Sequence, residues 1–139
     1  MKVLIDTPIW SLALRRGKAL SREEQVLITE LGELIKEVRV ALMGPIRQEL
    51  LSGLSSDEQF NILKEKLRPF EDLPFTQTDY EKAAEFYNAC RKAGIQGSQI
   101  DFLICSVSVG NKIPIFTSDR DFLHYKKQLP ISLYQPRNR

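Results

Sequence analysis

The chain has 139 residues, 42% of them hydrophobic and 27% charged, with a net charge of +2. That length fits one domain with a real core over residues 1–139, and the charge permits a polyanionic partner without requiring one. No apolar stretch reaches the length of a membrane span and no secretory signal opens the sequence, so no membrane association and a cytoplasmic location are expected.

Short apolar runs alternate with longer amphipathic ones, a pattern that predicts an α/β fold with a parallel sheet covered by helices. Residues 2–6 are the first predicted strand. Thr7 is placed to cap a helix whose first position is Pro8, running through Trp10, Leu12 and Leu14 to Arg16. Ser21-Arg-Glu-Glu24 is a capping box, followed by Val26, Leu27, Leu31, Leu34 and Ile35 at helical spacing. Residues 38–43 are the second strand. Gly44-Pro45 ends it and opens a helix carrying Glu49. Ser55-Ser-Asp57 starts a further helix, to about Leu67, and residues 69–76 form a connector with a short strand at Phe75. Thr78-Asp-Tyr-Glu81 reads as a second capping box, for a helix that ends at Gly94. Ser98 begins a helix containing Asp101, which stops at Gly110. Residues 113–117 are the third strand, 121–127 a short helix and 131–134 a last strand.

Asp6, Glu49, Asp101 and Asp119 stand out because each follows or interrupts an apolar run. Asp6 ends Val3-Leu4-Ile5, and Asp119 follows Ile113-Pro-Ile-Phe116. Asp101 opens a segment that is apolar almost all round, and Glu49 shares a helix face with Ile46, Leu50 and Gly53. Asp6 and Asp119 fall at the carboxyl ends of strands, where open α/β sheets bind ligands. If the acids converge, they form an oxygen-only cage of the kind that hard divalent cations such as Mg²⁺ favour.

Each acid also has a plainer reading. Asp6 can cap the first helix. Asp101 lies three residues after Ser98, at the positive end of a helix dipole. Glu49 can pair with Arg47 or Arg15 at the surface. Asp119 can be a turn residue, and Asp121 a helix cap. The four acids at independent element ends weigh more than any one of them.

Little else competes. His124 is the only histidine and sits beside Tyr125 and Lys126 on a polar helix, so no Ser/His/Asp or Cys/His set can be assembled. There is no GxGxxG and no P-loop. Cys90 and Cys105 show no CxxC spacing and read as buried thiols. Arg47, Arg91, Arg137 and Arg139 can contact phosphates but read equally as solubilising charges. The pair Arg15-Arg16, just downstream of Asp6, is the best nucleic-acid contact.

At this point a family resemblance enters. Leu4-Ile-Asp-Thr-Pro-Ile-Trp10 resembles the opening of PIN-domain ribonucleases, and Pro45-Ile-Arg-Gln-Glu-Leu-Leu-Ser-Gly53 their second acidic motif. Ile100-Asp-Phe-Leu-Ile-Cys105 resembles the third, and Phe116-Thr-Ser-Asp-Arg-Asp-Phe122 the fourth. In order, spacing and length the chain is similar to the small VapC-type toxins of prokaryotic toxin–antitoxin pairs.

The resemblance implies a three-layer α/β/α sandwich and an endoribonuclease dependent on Mg²⁺ or Mn²⁺. It also implies a homodimer inhibited by a small antitoxin protein. By position, Asp6, Glu49, Asp101 and Asp119 carry the catalytic acids, with Asp6, Asp101 and Asp119 as metal ligands and Asp121 as a more variable accessory acid. Thr117, Ser118 and Arg15 are candidates for positioning water or RNA. The implied chemistry is in-line hydrolysis of a phosphodiester by an activated water. Two departures stand out. Pro8 replaces the Ser or Asn of many relatives, and Ser106 and Ser108 replace common alanines, a change that reads as helix packing.

Two other functions are kept open. An aspartyl phosphatase would use Asp6, but such sites want a second Asp where Pro8 stands. A catalytically silent PIN-like module would bind RNA or protein without cutting, and the intact acids argue against it.

Overall fold

Val3, Leu4 and Ile5 are all fully buried, so the first apolar run is covered on both faces, as a central parallel strand must be. The computed structural model describes residues 1–14 and 19–137. Strand β1 (Val3–Ile5) lies between β2 (Val40–Ala41) and β3 (Ile115–Phe116), giving the order β2-β1-β3. Both pairings are parallel, with Val3 opposite Val40 and Ile5 opposite Phe116. Isolated parallel bridges extend the edges at Leu42–Asp72 and Ile115–Leu133.

Helices α1 (Thr7–Leu14) and α2 (Arg22–Lys36) join β1 to β2. Helices α3 (Gly44–Leu51), α4 (Asp57–Leu67), α5 (Gln77–Lys92) and α6 (Gln99–Asn111) join β2 to β3, and α7 (Asp121–Lys126) follows. The two crossovers step in opposite directions across the sheet. Right-handed connections therefore place their helices on opposite faces, which yields the α/β/α sandwich. Helix α6 is the most enclosed, with every residue from Phe102 to Ser108 buried. No helix among the described residues is long and apolar enough to cross a membrane.

Local chemistry accounts for the element ends and for several departures from the sequence reading. Thr7 does not cap α1. It is already helical, and Asp6 precedes it with a carbonyl that accepts from Ile9 N. The Ser21–Glu24 capping box is present. Strand β2 is shorter than residues 38–43, because Val38 has φ +56° in the turn that closes α2. There Arg39 N donates to Leu34 O.

The second capping box uses Thr76 and Asp79, not Thr78 and Glu81, with Thr76 N donating to Asp79 Oδ2 at 2.8 Å. Both registers offer the same residue types. Phe75 breaks the tie: it packs edge-on against Tyr80 at 5.4 Å, a hydrophobic staple across the helix start. Phe75 is thus spent on the staple, and the added strand contact falls at Asp72 instead. Helix α6 runs one residue past Gly110 and closes at Lys112, at φ +57°. Ser106 and Ser108 are packing residues, as the sequence implied: their hydroxyls donate to Asp79 O at 2.7 Å and Ile113 O at 2.5 Å. Cys90 and Cys105 are free and buried, and burial pushes both thiols up.

Arg47 is a clamp. Its guanidinium donates to Asp72 Oδ1 and Leu67 O at 3.0 Å, and also to Phe70 O. This ties α3 to the end of α4 and to the connector beside β2. Arg47→Ala is expected to cost roughly 2–3 kcal/mol, because charged hydrogen bonds to half-buried acceptors are lost together. Urea unfolding monitored by circular dichroism measures it. An unchanged midpoint would mean that these bonds exchange for water at no cost.

Candidate metal centre

Asp6 stands one residue beyond the end of β1, and Thr117 one residue beyond the end of β3. Because the two strands are adjacent, their ends meet. Asp6 is 5% exposed. Its Oδ1 accepts from Thr7 N at 2.9 Å and its Oδ2 from Thr117 Oγ1 at 2.8 Å. The Thr117 hydroxyl in turn accepts from Asp119 N at 3.0 Å. Asp119 Oδ1 accepts from Asp121 N at 2.9 Å, a local turn that opens α7. Thr117 therefore couples the first acid to the loop carrying the next two.

Asp101 comes in from the first turn of α6. Ser98 caps that helix, accepting from Asp101 N at 3.0 Å. Tyr125 OH donates to Asp101 Oδ2 at 2.6 Å. Asp101, Asp119 and Asp121 each present an oxygen, and these oxygens lie within 4.8 Å of one another.

The electrostatics follow. Burial raises the Asp6 carboxyl to about 6, against the hydrogen bonds from Thr117 and Thr7, and repulsion from Asp101 and Asp119 adds to the rise. Asp101 is raised too, first by burial, with Tyr125 and Ser98 opposing and Asp119 and Asp121 contributing repulsion. Burial pushes the Tyr125 hydroxyl well up, and Asp101 reinforces it, so it stays a donor.

The remaining candidates lie further out. Glu49 is exposed on α3 and is not one of the three grouped acids. It is tied to the strand end by Thr7, whose Oγ1 donates to Glu49 Oε2 at 2.9 Å. Its plainer reading as a partner of Arg47 fails, since Arg47 is occupied with Asp72. Asp121 is not a helix cap: it is the first residue of α7, with Arg120 in the cap position. Ser118 and His124 are exposed. Arg15 and Arg16 lie outside the described residues.

Two residues near the acids escaped the sequence reading. Thr7, assigned only as a cap, sits next to Asp6 and holds Glu49. Tyr125 had no sequence signal at all, because its contact with Asp101 exists only once α6 and α7 pack together.

The donors are all oxygen, and the acids lie close enough to repel one another. A hard divalent cation suits such a set, and a thiophilic one does not. The residues present therefore fit a hard divalent cation, which oxygens of Asp101, Asp119 and Asp121 would hold with Asp6 alongside.

Comparison with known proteins agrees with this architecture. FitAcB from Neisseria gonorrhoeae superposes with a TM-score of 0.76 at 22% identity, over 96% of this chain and 97% of the other. FitAB bound to an IR36 DNA fragment gives 0.75 at 21% identity, over 96% and 94%. VapBC2 from Rickettsia felis, bound to a DNA fragment from their promoter, gives 0.73 at 19% identity, over 96% and 98%. No curated protein sequence matches the chain. The family profile described as PIN domain matches residues 3–128, and the chain belongs to the PIN domain family.

Proposed function

We propose that the protein is a Mg²⁺- or Mn²⁺-dependent endoribonuclease, the toxin of a toxin–antitoxin pair, acting in the cytoplasm as one domain over the whole chain. The observation that carries this reading is the trio Asp101, Asp119 and Asp121, with oxygens within 4.8 Å of one another and Asp6 at the adjoining strand end. Asp6, Asp101 and Asp119 would hold the cation, with Asp121 as a further donor. When bound, it supplies an easily deprotonated water and charge stabilisation at phosphate.

The chain's own residues do the rest. Thr117 fixes Asp6 and the Asp119 backbone in one arrangement. Thr7 keeps Glu49 near the strand end, where its exposed carboxylate can take a proton from water. Ser118 and Arg15 are the candidates that the motif resemblance offers for contact with the RNA backbone. Incubation of RNA with Mg²⁺ or Mn²⁺ is expected to give cleavage products, and EDTA to abolish them. Cleavage that persists in EDTA would sink the metal-dependent reading. Turnover of a generic phosphate monoester instead of RNA would favour the phosphatase.

The toxin assignment rests on the motif resemblance and on the likeness to FitAB and VapBC2, each of which pairs two proteins. A groove between α1 and α4, lined by Leu14, Leu54, Ile62 and Leu63 with Gln59 and Lys66, suits an amphipathic helix of a small antitoxin. The homodimer is proposed on the resemblance alone. Expressed by itself, the protein is expected to arrest growth of its host, and co-expression of the short neighbouring reading frame to relieve the arrest. Harmless expression of a protein that cuts RNA in vitro would leave a housekeeping nuclease in place of a toxin.

A further inference from the structure

Tyr125 is the largest fully buried side chain in the structure, yet its one polar atom is aimed at an acid of the metal centre. Its ring is fixed on two sides, by Phe102 at 4.9 Å and by Phe122 at 5.1 Å. A third side is closed by backbone. A Cβ built on Gly97 would fall 2.5 Å from the Tyr125 hydroxyl and 2.8 Å from Phe102 Cζ. No real side chain fits there, so residue 97 is glycine for want of space rather than for its dihedral angles. The hydroxyl is thus confined to one place, and from that place it donates to Asp101 Oδ2 at 2.6 Å. That length is typical of an O–H donor on a carboxylate.

We propose that Tyr125 is a positioning residue: its confined hydroxyl fixes the orientation in which the Asp101 carboxylate faces Asp119 and Asp121, and so the direction from which it meets a divalent cation. The inference rests on the metal-dependent reading given above. A carboxylate with two free oxygens can swing or bind through both. One held by a buried donor keeps its plane in a set direction, and outer hydrogen-bond partners of metal ligands commonly matter for affinity. Gly97 serves the same end by closing the space into which the hydroxyl would otherwise move.

Mn²⁺ binding to the metal-free full chain, followed by electron paramagnetic resonance, tests this with a matched control. Tyr125→Phe removes the hydroxyl and keeps the ring. Tyr134→Phe removes an equivalent tyrosine–carboxylate bond elsewhere, that of Tyr134 OH to Glu30 Oε2 at 2.7 Å. Tyr125→Phe is expected to weaken Mn²⁺ binding roughly tenfold. Tyr134→Phe is expected to lower the melting temperature and leave the affinity unchanged. Gly97→Ala can fold only if the Tyr125 hydroxyl shifts, so it too is expected to weaken binding, and unchanged Mn²⁺ affinity in a folded Gly97→Ala protein overturns the positioning role as well. Unchanged Mn²⁺ affinity in folded Tyr125→Phe overturns the positioning role and leaves the metal centre standing. Failure of the wild-type protein to bind Mn²⁺ overturns the metal reading and this inference with it.

Discussion

Asp101→Asn and Asp119→Asn proteins are expected to fold normally and to cleave RNA roughly 10²–10³-fold more slowly than the wild type. The size follows from the several kcal/mol that a bound cation contributes to charge stabilisation at phosphate, at about 1.4 kcal/mol per tenfold in rate. The fold should survive for local reasons. Asn keeps an oxygen for Tyr125 OH, and Ser98 rather than Asp101 caps α6. Asn at 119 keeps an acceptor for Asp121 N. What Asp101→Asn gives up is a carboxylate in the first turn of a helix, worth roughly 0.3–1 kcal/mol. Initial rates on a fluorogenic RNA, compared at matched circular dichroism spectra, measure the effect. Full activity in either variant would remove that residue from the site.

The second large effect is one of stability. Asp6 is buried, and its carboxyl is raised from the ordinary carboxylate range to about 6. A carboxyl raised in the folded state favours folding most fully below its unfolded value, and that contribution falls as pH rises above it and is gone once pH passes the folded value. The metal-free protein should therefore lose stability as pH rises from about 3.8 to about 6 on account of Asp6, by up to about 3 kcal/mol from a shift of roughly two pKa units. Asp6→Asn carries no such charge. Its metal-free melting temperature is expected to exceed that of the wild type by several degrees at pH 7.5 and by much less at pH 4. Added Mn²⁺ should reverse the order at pH 7.5, because a cation that binds only the folded wild type stabilises it by mass action. Differential scanning calorimetry of both proteins in EDTA decides the matter. Equal pH dependence in the two would show that Asp6 is not the group held out of its ordinary range.

Much of the architecture was legible in the sequence because apolar period and punctuation agree. Val3-Leu4-Ile5 and Ile115-Phe116 are buried strands that hand over to polar residues at their ends, which is where Asp6 and Asp119 lie. Ser21, Ser56 and Ser98 each announce the helix that follows, and each accepts from a backbone N–H three residues on. Reading failed where two local choices were equivalent and a tertiary contact chose between them. Thr76 and Thr78 are equally good caps until Phe75 meets Tyr80. Val38 has the composition of a strand residue, yet it takes a left-handed turn because α2 must end there.

The acids follow the same division. Their candidacy was visible from position, but their grouping was not. Asp121 looked like a cap and lies with Asp101 and Asp119, whereas Glu49 looked equivalent to the others and stands outside that group, tied to the strand end by Thr7. Arg47 looked like a surface charge, and its guanidinium is taken up by two carbonyls and Asp72. Residues far apart in sequence set these outcomes, and no local pattern encodes them.

The central claim is that these acids hold a divalent cation. A crystal of the protein soaked in Mn²⁺, with data collected for anomalous scattering, tests it most directly. The account expects an anomalous peak within about 2.0–2.4 Å of carboxylate oxygens of Asp101 and Asp119, with Asp6 and Asp121 in reach directly or through water. A peak only at surface carboxylates such as Glu65 or Glu81, or none at a Mn²⁺ concentration that supports RNA cleavage, would contradict it.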